Sequence, residues 1–280
     1  MHGTDSSFYT LIPSTFKSTM EVARSPVILT IGNFELRFEE DEELDAEYAE
    51  IAERELRETP DVRAAAIERL RELLLADEKL HFPTEEESRL LIFLRPCKFY
   101  PESAYQLIQR YYQFRLTNPK VYKDLTPKNE SNVFQQGILS VIPRRDQHGR
   151  RILLLEAGDE AGLSLNHVMQ FTPSFARAVI TWVQSCLPVR FKAVHIVNQP
   201  YIFNMVFAIF KPFMQEKLRN RIHLHGTDRK SLLKHIDAEA LPVRYGGTLD
   251  IPEVPSTTWH ELMMTRNADY ELLNTFGYKD

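Results

Sequence analysis

His223 and His225 are separated by one residue, so on a strand both imidazoles point to the same face and form a possible metal pair. No carboxylate or third histidine stands near them at useful spacing, and a structural role is the expectation. A Gly-x-Ser-x-Gly elbow, a glycine-rich phosphate loop and a locally supported Cys–His pair are all missing from the sequence. Cys97 and Cys186 give neither a disulfide framework nor zinc-like spacing; they read as apolar fillers in a reducing compartment. The chain is therefore expected to be non-enzymatic, with no metal and no cofactor.

The most unusual segment is residues 201–214. At a helical 100° per residue, Phe203, Phe207, Phe210 and Met214 fall on one arc, and Ile202, Val206, Ile209 and Phe213 on the next. Asn204, Ala208, Lys211 and Gln215 form a narrow polar strip opposite. The apolar sector spans roughly 200°, about twice what a helix needs to cover one core. A second apolar partner is required: a membrane surface, a lipid or another chain. Pro212 removes the hydrogen bond to Ala208 and weakens the helix there, as suits a segment that opens.

These elements sit in a chain of 280 residues, 43% hydrophobic and 26% charged, with a net charge of −5. That length suits one sizeable domain and a smaller one. Acidic residues crowd 35–61 and basic ones 211–235, which points to an anionic partner met on one face and not to nucleic acid. Residues 1–40 read as a disordered leader, with no apolar run long enough for a signal peptide or membrane span.

Helical periodicity covers 41–58 and 61–76. Thr84 to Glu87 has the form of a capping box before another helix, and Pro101 suits the first turn of the next. This makes residues 41–118 an all-helical domain. Residues 119–252 alternate strands (137–142, 151–155, 192–197, 221–225) with helices, a pattern expected to give a mainly parallel α/β sheet. Residues 253–280 are left as a C-terminal tail.

Several motifs now line up in order. Phe93-Leu-Arg-Pro-Cys-Lys-Phe99 with Tyr111-Tyr112, Phe171-Thr-Pro-Ser174, His195-Ile-Val-Asn-Gln-Pro200, Lys211-Pro-Phe213, Arg221-Ile-His-Leu-His-Gly226 and Leu241-Pro-Val-Arg-Tyr-Gly-Gly247 resemble successive signatures of the CRAL-TRIO family over roughly residues 45–252. The resemblance implies a helical N-terminal domain followed by an α/β lipid-binding domain, whose sheet floors a pocket closed by a mobile helix. Family members carry tocopherol, retinaldehyde or phospholipid and bind phosphoinositides. One departure is large: Glu156-Ala-Gly-Asp-Glu-Ala-Gly162 runs almost directly into the family's Asp-x-x-Gly turn. On the order of forty residues, about one βα crossover, are missing relative to that pattern near residue 159. Such a loss removes a strand and one wall of the pocket.

By the same resemblance, Phe171, Val179, Trp182, Val183, Leu187, Val189, Phe203, Phe207 and Phe210 would hold a hydrophobic lipid. Arg190, Lys192, Lys217 and Arg221 would bind a phosphatidylinositol bisphosphate headgroup, with Arg95 and Lys98 at its border. Ile202, Val206, Ile209 and Phe213 would dock on the membrane. The implied protein is cytoplasmic and transiently membrane-associated, carrying lipid or, with a wall missing, acting as an interaction module.

Overall fold

The computed structural model describes residues 28–38, 46–156, 171–252 and 254–278. The acidic run at 39–43 and the junction near residue 159 lie outside them. The chain's first described element corrects an expectation. Strands β1 (Leu29–Ile31) and β2 (Phe34–Leu36) make an antiparallel hairpin within the stretch assigned to a disordered leader. Leu36 is buried with Val254 and Leu262, so the hairpin has a C-terminal segment to pack on, a partner invisible to local composition.

The helical layer follows. Helix α1 (Ala46–Leu56) buries only Ala52 and Leu56. Helix α2 (Pro60–Leu75) starts as its residues dictate: Thr59 Oγ1 accepts from the Val62 amide at 3.3 Å and Pro60 takes the first turn. After the short strand β3 (Leu80–His81) comes α3 (Glu87–Leu94), later than the capping-box reading requires. Thr84 is buried, and its carbonyl accepts from Arg71 Nε at 3.1 Å. Docking onto α2 thus overrides the local cap. Helix α4 (Pro101–Thr117) completes a core in which Leu70, Leu90, Leu94 and Ile108 are fully buried.

Helices α5 (Pro119–Tyr122) and α6 (Ser131–Gln135) lead into strands β4 (Leu139–Ile142) and β5 (Ile152–Leu155), an antiparallel hairpin. Helix α7 (Pro173–Thr181) continues as a π-helical turn, Trp182–Cys186. Then come β6 (Val194–Val197), α8 (Phe203–Phe210) with a 3₁₀ turn Lys211–Phe213, α9 (Glu216–Arg219), β7 (Ile222–Gly226) and α10 (Arg229–Leu232). Strand β7 pairs parallel with β6, His195 opposite His223. Among the described residues this is the one parallel pair, and β4–β5 stands as a separate two-stranded sheet. The expected mainly parallel sheet is thus divided in two.

The C-terminal stretch is not a loose tail. Helices α11 (Ser256–Met264) and α12 (Asn267–Leu273) lead to β8 (Gly277–Tyr278), which pairs antiparallel with β3, and Phe276 and Tyr278 pack on the helical core. The chain end closes onto the N-terminal layer, a non-local pairing that no local pattern announces.

Candidate lipid and headgroup site

Helix α7 opens as its sequence demands: Thr172 Oγ1 accepts from the Phe175 amide at 3.2 Å and Pro173 fixes the first turn. It presents Phe171 and Phe175 to Phe210 of α8, with ring centroids 5.9 and 6.3 Å from the Phe210 ring. Along α8, Phe203 stacks on Phe207 at 6.2 Å. Pro212 has the expected effect, since the α-helical bonding ends at Phe210 and a 3₁₀ turn takes over.

None of the nine proposed lipid-wall residues is fully buried, and Val189 is exposed. Phe171, Val179, Val183, Leu187, Phe203, Phe207 and Phe210 are half-buried. Trp182 stands among other rings. It stacks on Phe114 at 4.9 Å and lies 4.8 Å from Tyr122 and 5.3 Å from Tyr111. The π-turn aims its indole at α4 and α5, so it joins the two layers.

In this structure the proposed membrane-docking arc is turned toward the interior. Val206 is buried, while Ile202, Ile209 and Phe213 are half-buried. The outward face is Tyr201, 88% exposed, with Asn204, Met205 and Ala208. Both apolar arcs therefore lean inward, and the boundary between them, near Val206, points to the interior. One residue outside the sequence reading fixes this position. Gln184 Nε2 donates to Phe213 O and Gln184 Oε1 accepts from the Gln215 amide, both at 3.1 Å. A glutamine at that position gave no sequence signal.

Three of the four cations come together. Arg190 and Lys192 both bind Glu55 of α1, the arginine through Nη2 at 3.2 Å. Arg221 donates to the carbonyl of Phe191, between them. Lys217 is exposed on α9, one helical turn before Arg221. The Lys192 hydrogen bond, aided by the charges of both cations, holds the Glu55 carboxyl below the usual range against the opposing effect of burial. Arg95 forks the nearly buried Glu58, with Nη2–Oε1 at 2.8 Å and Nε–Oε2 at 3.0 Å. Lys98 stands in the left-handed region, φ 53°.

Four imidazoles cluster on the strand pair. His195 and His223 stack at 5.0 Å, and His223 and His235 lie 4.4 Å apart. His225 Nδ1 meets Ser231 Oγ at 2.8 Å. The sequence pointed to His223 and His225 alone. The parallel register brings in His195, and the turn after α10 brings in His235. Among the described residues no group of three or more His, Cys, Asp or Glu side chains is placed to hold a metal. The two thiols, Cys97 and Cys186, are both pushed up by burial, as suits unreactive fillers. Among the described residues no helix is long and apolar enough to cross a membrane.

Comparison with known proteins places this geometry. Residues 158–247 match the CRAL/TRIO domain. The alpha-tocopherol transfer protein-like protein of Mus musculus is 31% identical over 257 residues, covering 78% of this chain and 74% of the relative. Clavesin-1 of Xenopus laevis is 29% identical over 275 residues, covering 84% and 82%, and clavesin-2 of Rattus norvegicus is 27% identical over 266 residues, covering 81% of each. Since 78% of 280 residues is about 218, about 39 of the 257 positions aligned with the mouse protein have no counterpart here. The two clavesin alignments give the same difference, about forty positions. From the capped helix α7 to the parallel pair β6–β7, and in sequence over most of its length, the chain belongs to the CRAL-TRIO family.

Proposed function

We propose that this protein is a non-enzymatic lipid-binding protein that recognises a phosphatidylinositol bisphosphate headgroup and presents or transfers a hydrophobic lipid at the cytoplasmic face of membranes. The observation that carries the reading is the convergence of Arg190, Lys192 and Arg221 around Phe191, at the start of the strand that leads into the apolar helix α8. Arginine can fork two phosphate oxygens and lysine supplies a point charge, so the set suits a polyanionic headgroup. Helix α8 joins β6 to β7, and the half-buried aromatic surface beneath it suits an apolar chain. The names of the relatives support a lipid cargo of the tocopherol kind.

The test is sedimentation with vesicles containing phosphatidylinositol 4,5-bisphosphate. Arg190→Ala with Lys192→Ala should cut the pelleted fraction sharply. Pelleting equal to wild type would sink the headgroup assignment.

A second reading has its own support: headgroup or partner binding without lipid carriage. The sheet, divided among the described residues, and the forty unmatched positions fit a chain that lacks one βα unit. Native mass spectrometry of protein purified from cells separates the two, since a carrier retains a co-purifying lipid and an interaction module does not.

A further inference from the structure

We infer that Glu55 is an internal competitor for the headgroup site, and that helix α1 must move aside before a phosphoinositide can bind; this rests on the headgroup reading above. One carboxylate oxygen, Glu55 Oε2, accepts from both Arg190 and Lys192. A single anionic oxygen bridging two cations is what a phosphate oxygen would do in the same place. The three side chains are 31%, 26% and 35% exposed for Arg190, Lys192 and Glu55, so the pairing is wet and weak enough for a multivalent anion to displace.

Helix α1 is built to move. It buries only Ala52 and Leu56, and its Tyr48 ring lies 5.1 Å from the Arg145 guanidinium and against Gly149. Its end is better fixed. Arg57 takes the left-handed region, φ 65°, and the Glu58 amide reaches back to Ala52 O at 3.2 Å. Beyond that turn Glu58 is 6% exposed and forked by Arg95. The turn at Arg57 is therefore a pivot: Glu58 stays anchored to the helical layer while Glu55 lets go. A headgroup entering between Arg190 and Lys192 replaces one negative charge by several and releases α1.

The experiment is calorimetric titration with inositol 1,4,5-trisphosphate, a soluble headgroup, of the full chain and two variants. Glu55→Gln should bind about fivefold tighter than wild type, the worth of a partly exposed ion pair. Arg190→Ala with Lys192→Ala should abolish binding. Hydrogen exchange adds a readout that needs no ligand: Glu55→Gln should speed exchange across residues 46–56. Equal affinity of wild type and Glu55→Gln, with binding still dependent on Arg190 and Lys192, overturns the competition and leaves the headgroup site standing. Binding that ignores Arg190 and Lys192 in every protein overturns both.

Discussion

His195 Nδ1 and His225 Nε2 lie 3.0 Å apart across the parallel pair β6–β7, so the two rings share a single proton between the strands that hold both ends of α8. Burial pushes His195 down to about 4, and the neighbouring His223, His225 and His235 and the Arg150 guanidinium push the same way. His223 and His225 are also lowered, first by burial, with Asp228 partly offsetting the effect at His225.

The sign follows from linkage. The unfolded imidazole titrates near 6.5, so above that pH His195, His223 and His225 are neutral in both states and contribute no pH dependence. Below it the unfolded chain takes up protons that folded His195 refuses until about pH 4, and stability falls across that window. At pH 5 the His195 contribution is a loss of about 2 kcal/mol at most. Urea midpoints measured from pH 7.5 to 4.5 should decline below 6.5, and His195→Asn should flatten that decline.

Much of this architecture was legible locally. Pro101 marks a helix start because proline geometry is a short-range effect, and α4 begins there. Pro212 marked the change in α8 for the same reason. What failed was long-range. His195 and His235 join His223 and His225 only through strand register and a tertiary turn, the β1–β2 hairpin packs on Val254 and Leu262, and β8 pairs with the distant β3. Helical periodicity found two apolar arcs on α8 but could not say that their shared boundary would face inward.

That inward rotation separates two neighbouring residues. Val206 is 7% exposed and Met205 is 48% exposed. Val206→Asp should destabilise the fold by about 3 kcal/mol or more, because it buries a carboxylate without a partner. Met205→Asp should leave the thermal midpoint within a degree or two and still weaken vesicle pelleting, since a new negative charge on the outward face opposes an anionic surface. Loss of stability in both variants would contradict the observed rotation of α8.

Trp182 gives a test of how the two layers are joined. Its indole is packed by Tyr111, Phe114 and Tyr122, all within 5.3 Å between centroids. Trp182→Ala removes a large half-buried surface and several ring contacts, so a loss of about 2–4 kcal/mol is expected. If Trp182 lined a ligand wall instead, the substitution would change lipid retention with little effect on the urea midpoint.

One side chain holds down the end of α8. Gln184 both donates to Phe213 O and accepts from the Gln215 amide, closing the backbone just after α8 with one side chain. The contact is tertiary, from the π-turn to the 3₁₀ turn, and each bond contributes on the order of 1 kcal/mol. Gln184→Ala should therefore cost about 1–2 kcal/mol locally and speed exchange of the Gln215 amide, while β6 and β7 keep their protection. If α8 is the element that moves toward membranes, the same variant should pellet more strongly with phosphoinositide vesicles, because less interaction is lost on opening. Faster exchange without stronger pelleting would mean that movement of α8 does not limit membrane binding.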